Sequence, residues 1–182
     1  MIAFKRILVY TISMIVKIKK LDEQAVVPKY AHSDGDACFD MSVLIDTNRN
    51  RPMSCSNGEF CDHVGFNEFN NCIDLVPGDT VILRTGLSFE IEPGYAMKIY
   101  PRSSTGFKKH LALSNGTGII DSNYRGEILI ALTNIGKSYT TIHNLDKLVQ
   151  AEIVKVVPVE FETVNELTET SRGVNGFGST GN

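Results

Sequence analysis

An aspartate follows a pair of isoleucines in the segment GIIDSNYRG, residues 118–126, and a tyrosine comes shortly after it. An Asp held at the end of a buried strand or hairpin, here Asp121, can orient a water and take its proton. Tyr124 offers an aromatic face against which a sugar ring can pack. Taken alone, the same string is equally an Asx-turn that Asp121 opens and Gly126 closes, and an isolated Asp in a turn is usually that.

A second segment with chemistry is PRSSTG, residues 101–106. Arg102 supplies a planar fork of donors, Ser103 and Ser104 add hydroxyls, and Gly106 lets backbone N–H groups come close to an anion. An ordinary polar surface turn has the same composition. A third is the C-terminal run RGVNGFGSTG, residues 172–181, which joins a cation, a lone aromatic (Phe177) and a Gly/Ser/Thr loop. It looks like a phosphate cradle with an aromatic lid. It is not a Walker A loop, because it lacks the Gly-Lys-[Ser/Thr] ending and a following helix. A flexible chain end is the commoner fate of such a composition.

The elements that would position these residues read almost entirely as β. Short apolar or alternating runs recur at 14–20, 37–45, 80–84, 87–91, 95–100, 127–134 and 147–157, with turn chemistry at Pro77-Gly78-Asp79, Glu92-Pro93-Gly94 and Ile135-Gly136-Lys137. No long helical period is present; residues 103–110 have room for a short helix at most. Many short, closely spaced strands predict a sandwich or jelly-roll-like barrel. Residues 46–71 break the pattern, being polar and rich in Asn, Cys and Gly, and read as a long inserted loop. The tail, residues 168–182, has almost no large apolar residue and cannot pack a core of its own.

With 182 residues, 42% hydrophobic and 21% charged, the chain has the size and balance of one globular domain. Its net charge of −3 gives no overall basic field for nucleic acid, so any phosphate site must be local. At the N-terminus, Lys5 and Arg6 precede an apolar run that is too short to span a bilayer and has no small-residue cleavage site after it. The expectation is a cytoplasmic protein, not membrane-bound, with residues 1–13 as an extension before the first strand. Cys55, Cys61, His63 and Cys72 lie close enough in sequence to raise zinc, but without the paired C-x₂-C spacing of zinc modules; reduced thiols in a loop are the plainer reading.

In this order the segments resemble the motifs of the trimeric dUTPase family, the deoxyuridine triphosphatases. The first motif is similar to PKYA with DACFDM (28–31 and 36–41), the second to residues 101–106, the third to 115–126, the fourth to KLVQ (147–150) and the fifth to 172–181. The resemblance runs from about Met14 to the C-terminus, apart from the insertion. It implies an all-β, jelly-roll-like (β-clip) subunit spanning 14–167, a homotrimer with sites at subunit interfaces, and a C-terminal arm (168–182) that closes a neighbour's site. It implies hydrolysis of dUTP to dUMP and pyrophosphate, which limits uracil in DNA and supplies dUMP for dTMP synthesis.

By the same resemblance, Asp121 holds the catalytic water and Tyr124 packs on the deoxyribose, leaving no room for a 2′-hydroxyl. Asn115 with Gly118 and Ile119 recognises uracil, and Ile120 and Leu129 belong to the substrate-binding set. Arg102, Ser103, Ser104 and Gln150 hold phosphates, while Arg172, Phe177, Gly178, Ser179 and Thr180 form the lid. The implied Mg²⁺ is held by the triphosphate and water, with Asp40 in its outer shell and no direct protein ligand.

Two positions depart from the family pattern: Cys38 stands where Gly is usual, and Lys147 where Arg is usual. Lys keeps the charge but loses the bidentate fork. The insertion has no role inherited from the family and no partner to be read from the sequence. A nucleotide-sensing regulatory protein of the same fold is one alternative. A dCTP deaminase is another, although Ala131 stands where that family has its catalytic Glu.

Overall fold

A computed structural model describes residues 14–32, 35–45, 54–56, 59–61, 65–67 and 70–176, with the backbone course alone for most of 54–66. The described strands, in chain order, are β1 (Lys17–Lys20), β2 (Phe39–Ser42), β3 (Ser54–Ser56), β4 (Glu59–Cys61), β5 (Gly65–Asn67), β6 (Cys72–Leu75), β7 (Thr80–Arg84), β8 (Leu87–Glu90) and β9 (Tyr95–Pro101). The single described helix, α1 (Ser103–Phe107), follows, and then β10 (Leu111–Leu113), β11 (Gly118–Asp121), β12 (Leu129–Asn134), β13 (Thr140–His143) and β14 (Lys147–Lys155).

The all-β expectation holds, and the pairings among the described strands are antiparallel: β11-β9-β14-β2 as the four-stranded sheet, β10-β12-β7 and β13-β6-β5 as three-stranded sheets, and the pairs β1-β8 and β3-β4. Alternating burial builds the core. Ile130 and Leu132 of β12 point inward while Leu129 and Thr133 do not, and Met97 and Ile99 of β9 are buried between Lys98 and Tyr100. These meet Met41, Leu83, Leu87 and Val149 in one cluster. Each such fully buried aliphatic side chain contributes about 1.5–3 kcal/mol.

One polar group sits in this core with its bonds made. Asn134, 1% exposed, donates from Nδ2 to the Leu75 carbonyl at 2.8 Å and to the Ser138 carbonyl at 2.9 Å, and its Oδ1 accepts from Gly136 N–H at 2.9 Å. A buried amide satisfied in this way fixes the turn between β12 and β13 without a desolvation penalty.

The structure differs from the sequence reading at several elements. The run 37–45 forms a strand only over Phe39–Ser42; beyond it the chain turns aside, Leu44 bridging Arg84 while Val43 N–H donates to Asp146 O at 3.0 Å. The segment 46–71 is not loop throughout: β3 and β4 form a hairpin, and β5 adds to β6 with Phe66 opposite Ile73. β6, β10 and β13 were not foreseen, because strands of three or four residues are too short to show alternation. The last strand ends at Lys155, two residues short of the expected run, and residues 156–176 are exposed and in neither strand nor helix. Residues 1–13 and 177–182, and His63, lie outside the described residues.

Candidate active site

At one end of the four-stranded sheet, β9 runs out into α1. Gln150 of β14 pairs with Tyr100 on one side and with Asp40 of β2 on the other, so three strands bring these residues into one row. Arg102 is the N-cap of α1 in extended conformation, φ −72 and ψ 155, and its N–H donates to Leu148 O at 3.0 Å. The buried Thr105 hydroxyl donates to the same carbonyl at 2.6 Å and locks the helix onto β14. Gln150 Nε2 donates to Pro101 O at 3.2 Å.

Arg102 is held at two points. Its Nε lies 2.9 Å from Asp40 Oδ1, and its guanidinium Nη1 donates to Lys147 O at 3.1 Å. A register shift between Lys147 and Val149 accompanies the approach of Lys147 Nζ to 3.7 Å from Asp40 Oδ2. Asp40 is only 13% exposed and faces two cations. The Ser103 and Ser104 N–H groups belong to the first helical turn, where no intrahelical carbonyl lies behind them. Cation, hydroxyls and N–H groups together can take an anion. Tyr100, opposite Gln150, donates to Glu152 Oε1 at 2.9 Å, and this hydrogen bond pushes its phenol above the ordinary value, so it stays neutral. Burial likewise pushes up the Cys38 thiol, which leaves this departure chemically quiet.

The second set of residues lies along β11. Gly118 packs closely on Ile99, where an added Cβ would lie 3.1 Å from the Ile99 Cβ. Alternation then turns Ile119, 63% exposed, and Asp121 to the outer face, while Ile120 leans on the core. The Asp121 side chain makes no hydrogen bond or ion pair with the described residues, although its carbonyl accepts from Tyr124 N–H at 3.1 Å. Tyr124 folds back to donate its hydroxyl to Glu127 O at 3.0 Å. Its ring lies over Gly126, where a Cβ would fall 2.3 Å from Tyr124 Oη, so the seat of the ring exists only because residue 126 has no side chain. Asn115 is exposed in the turn before β11, and Leu129 is half exposed at the start of β12, opposite Arg84.

Within one chain these sets do not meet. Asp121 pairs with Ala96, and Arg102 follows six residues later, just past the end of β9, about 20 Å away at the usual strand rise. Arg172 lies in the exposed tail, where its Nε donates to Asn175 O at 3.0 Å. Phe177, Gly178, Ser179 and Thr180 are outside the described residues. A groove of about 850 Å³ lies elsewhere, lined by Val16, Ile18, Phe89 and Ile153 with Tyr30 and Phe39 of the first motif, and none of the expected catalytic or substrate-binding residues is in its wall. Among the described residues no cluster of His, Cys, Asp and Glu could cage a metal. Cys72 is a buried free thiol in β6, and the side chains of Cys55 and Cys61 lie outside the description.

Sequence reasoning passed over two features. One is the pairing of Asp40 with Arg102 and Lys147, for which the only signal is an acid among apolar residues in β2. The other is Arg84, an arginine closing an apolar strand, which bonds Glu127 just beyond the Tyr124 turn.

Comparison with known proteins follows the same lines. A family model described as dUTPase matches residues 70–181. The deoxyuridine 5′-triphosphate nucleotidohydrolase of Trichodesmium erythraeum is 37% identical over 92% of this chain and 99% of its own length. That of Bdellovibrio bacteriovorus is 44% identical over 59% of this chain and 72% of its own. Among solved structures, the Staphylococcus bacteriophage 80alpha dUTPase with dUPNHPP superposes with a TM-score of 0.72 at 21% identity, over 93% of this chain and 99% of that one. The dUTPase of phage phi11 of S. aureus gives 0.64, also at 21%, over 86% of this chain and all 100% of that one. The family model over residues 70–181 and the relative matched over 92% of the chain agree: the protein belongs to the dUTPase family.

Proposed function

We propose that the protein hydrolyses dUTP to dUMP and pyrophosphate, with Asp121 as the base. The observation that carries this is Asp121, exposed on the outer face of β11 and joined through its carbonyl to the N–H of the seated Tyr124, in a chain of the dUTPase family. Asp121 orients a water and takes one of its protons as the water oxygen bonds to the α-phosphorus. The bond from that phosphorus to the bridging oxygen breaks, and pyrophosphate leaves with the electron pair. Negative charge developing on the phosphates needs fixed donors. Arg102, already oriented by Asp40, supplies them with Ser103, Ser104 and Gln150. Tyr124 flanks the deoxyribose, and Asn115, Gly118, Ile119, Ile120 and Leu129 line the base pocket.

Asp121 and Arg102 are about 20 Å apart in one chain, and this supports a homotrimer in which each site takes these two residues from different copies. The tail supports the same reading: Val157, Val159 and Phe161 alternate with polar residues and Pro158, and all three are exposed, as a segment reaching another copy would be. In this reading 14–167 is the β domain and 168–182 the closing arm, with Arg172 and Phe177–Thr180 over the substrate. Sedimentation equilibrium at three times the chain mass is expected, and a monomer contradicts the assembly.

Mg²⁺ fits the donor set in one way. Asp40 is engaged by two cations, which supports a reading in which the triphosphate oxygens and water hold the metal, with Asp40 no closer than its outer shell. There it would neutralise phosphate charge. A structural Mg(II) ion is described for a mutant of the phage phi11 dUTPase. We place the protein in the cytoplasm, where free thiols such as Cys38 and Cys72 stay reduced; no helix among the described residues is long and apolar enough to cross a membrane.

The test is product analysis. dUTP should give dUMP and pyrophosphate, and dCTP should give no ammonia, since Ala131 puts no acid on β12 at that position. Ammonia release from dCTP would move the chain to the deaminase chemistry of the same fold.

A further inference from the structure

Behind the Asp121–Gly126 turn lies a cluster of charges that the proposed chemistry does not use. Arg84, at the end of β7, has a side chain 9% exposed, and its Nε is 3.1 Å from each Glu127 oxygen. Its Nη1 is 3.4 Å from Asp22 Oδ2, on the segment after β1. Glu127 Oε1 also accepts from Gly86 N–H at 2.7 Å. Next to this, Ser88 Oγ donates to Arg125 O at 2.7 Å, Thr85 Oγ1 donates to Ile128 O at 2.8 Å, and Ile128 N–H donates to Leu87 O at 2.9 Å. The chain from Arg125 to Ile128 is therefore bound to residues 84–88, where β7 passes into β8, at every residue but Gly126.

The consequence concerns Tyr124. Its hydroxyl is tied to the Glu127 carbonyl, and its ring rests on Gly126, so its place is set by the backbone that Glu127 and Arg84 hold. A ring that excludes a 2′-hydroxyl must not yield, because one added oxygen is a small steric difference and a mobile ring would accommodate it. A pair with one partner so deeply buried costs desolvation and is weak evidence for stability alone. It does fix geometry, through charge-assisted bonds from a planar fork.

We propose that Glu127, clamped by Arg84 and Gly86, is a positioning residue that sets selectivity for deoxyribose over ribose by holding Tyr124 in place. The proposal rests on the dUTP reading above and on Tyr124 as the group facing the sugar.

The experiment measures kcat/KM for dUTP and for UTP with the full chain and with Glu127→Ala, Glu127→Gln and Ser88→Ala. Glu127→Ala is expected to lower the dUTP/UTP ratio roughly tenfold or more. Glu127→Gln keeps an acceptor for Gly86 N–H and should keep the wild-type ratio. Ser88→Ala removes one hydroxyl and should lower the ratio by about threefold, which decides the matter if Glu127→Ala does not fold. An unchanged ratio in a folded Glu127→Ala overturns the proposal even if turnover falls; if that variant does not fold, an unchanged ratio in Ser88→Ala overturns it. A wild type that does not hydrolyse dUTP instead overturns the function itself, so the two failures are distinct.

Discussion

Asp40 and Arg102 are joined across an intervening strand: Oδ1 on β2 lies 2.9 Å from Nε at the mouth of α1, with β14 between them. The carboxylate is nearly buried and the guanidinium a third exposed, so this pair aims a cation rather than screening it. Two of the Arg102 nitrogens are committed to the protein, Nε to Asp40 and Nη1 to Lys147 O, and the remaining edge is free to meet phosphate.

Asp40→Asn is therefore expected to raise KM for dUTP about tenfold with a smaller effect on kcat, because one charge-assisted bond that orients Arg102 is lost. Steady-state kinetics checks this. If Asp40 merely subtracted from the positive field, KM would fall.

Gly126→Ala separates function from stability. The new Cβ would sit 2.3 Å from Tyr124 Oη and 2.5 Å from Cζ, so the ring must leave its seat. Tyr124 is 44% exposed and can swing outward, so the fold should lose about 1 kcal/mol or less. kcat/KM for dUTP should fall roughly tenfold or more. Thermal unfolding beside kinetics shows whether activity drops while stability holds, as expected; equal loss of both would make Gly126 a folding residue only.

Local patterns were legible and distant partnerships were not. Thr80–Arg84 formed as a strand with the limits its alternation implied, and the turns at Gly78 and Gly94 carry the positive φ, 89 and 86, that their glycines allow. Asp121 does end a strand, as the isoleucines before it suggested. The strands β6, β10 and β13 were missed because each is defined by its pairing partner rather than by its own few residues. Part of 46–71 became strand for the same reason, as β5 borrows its order from β6.

In the site, the residue types pointed to chemistry, but only pairing showed that Asp121 and Arg102 lie at opposite ends of β9. The ion pairs of Asp40 with Arg102 and Lys147 could not be read from the sequence, because a partner distant in sequence leaves no local trace. The Arg84–Glu127 clamp was invisible for the same reason.

The most direct test of the account is dUTP turnover by the wild type and by Asp121→Asn, with circular dichroism to confirm that both fold. Asn keeps the shape of the side chain and removes the base. The account predicts that kcat falls by about a hundredfold or more with KM little changed. Equal hydrolysis of dUTP by the two proteins would contradict it.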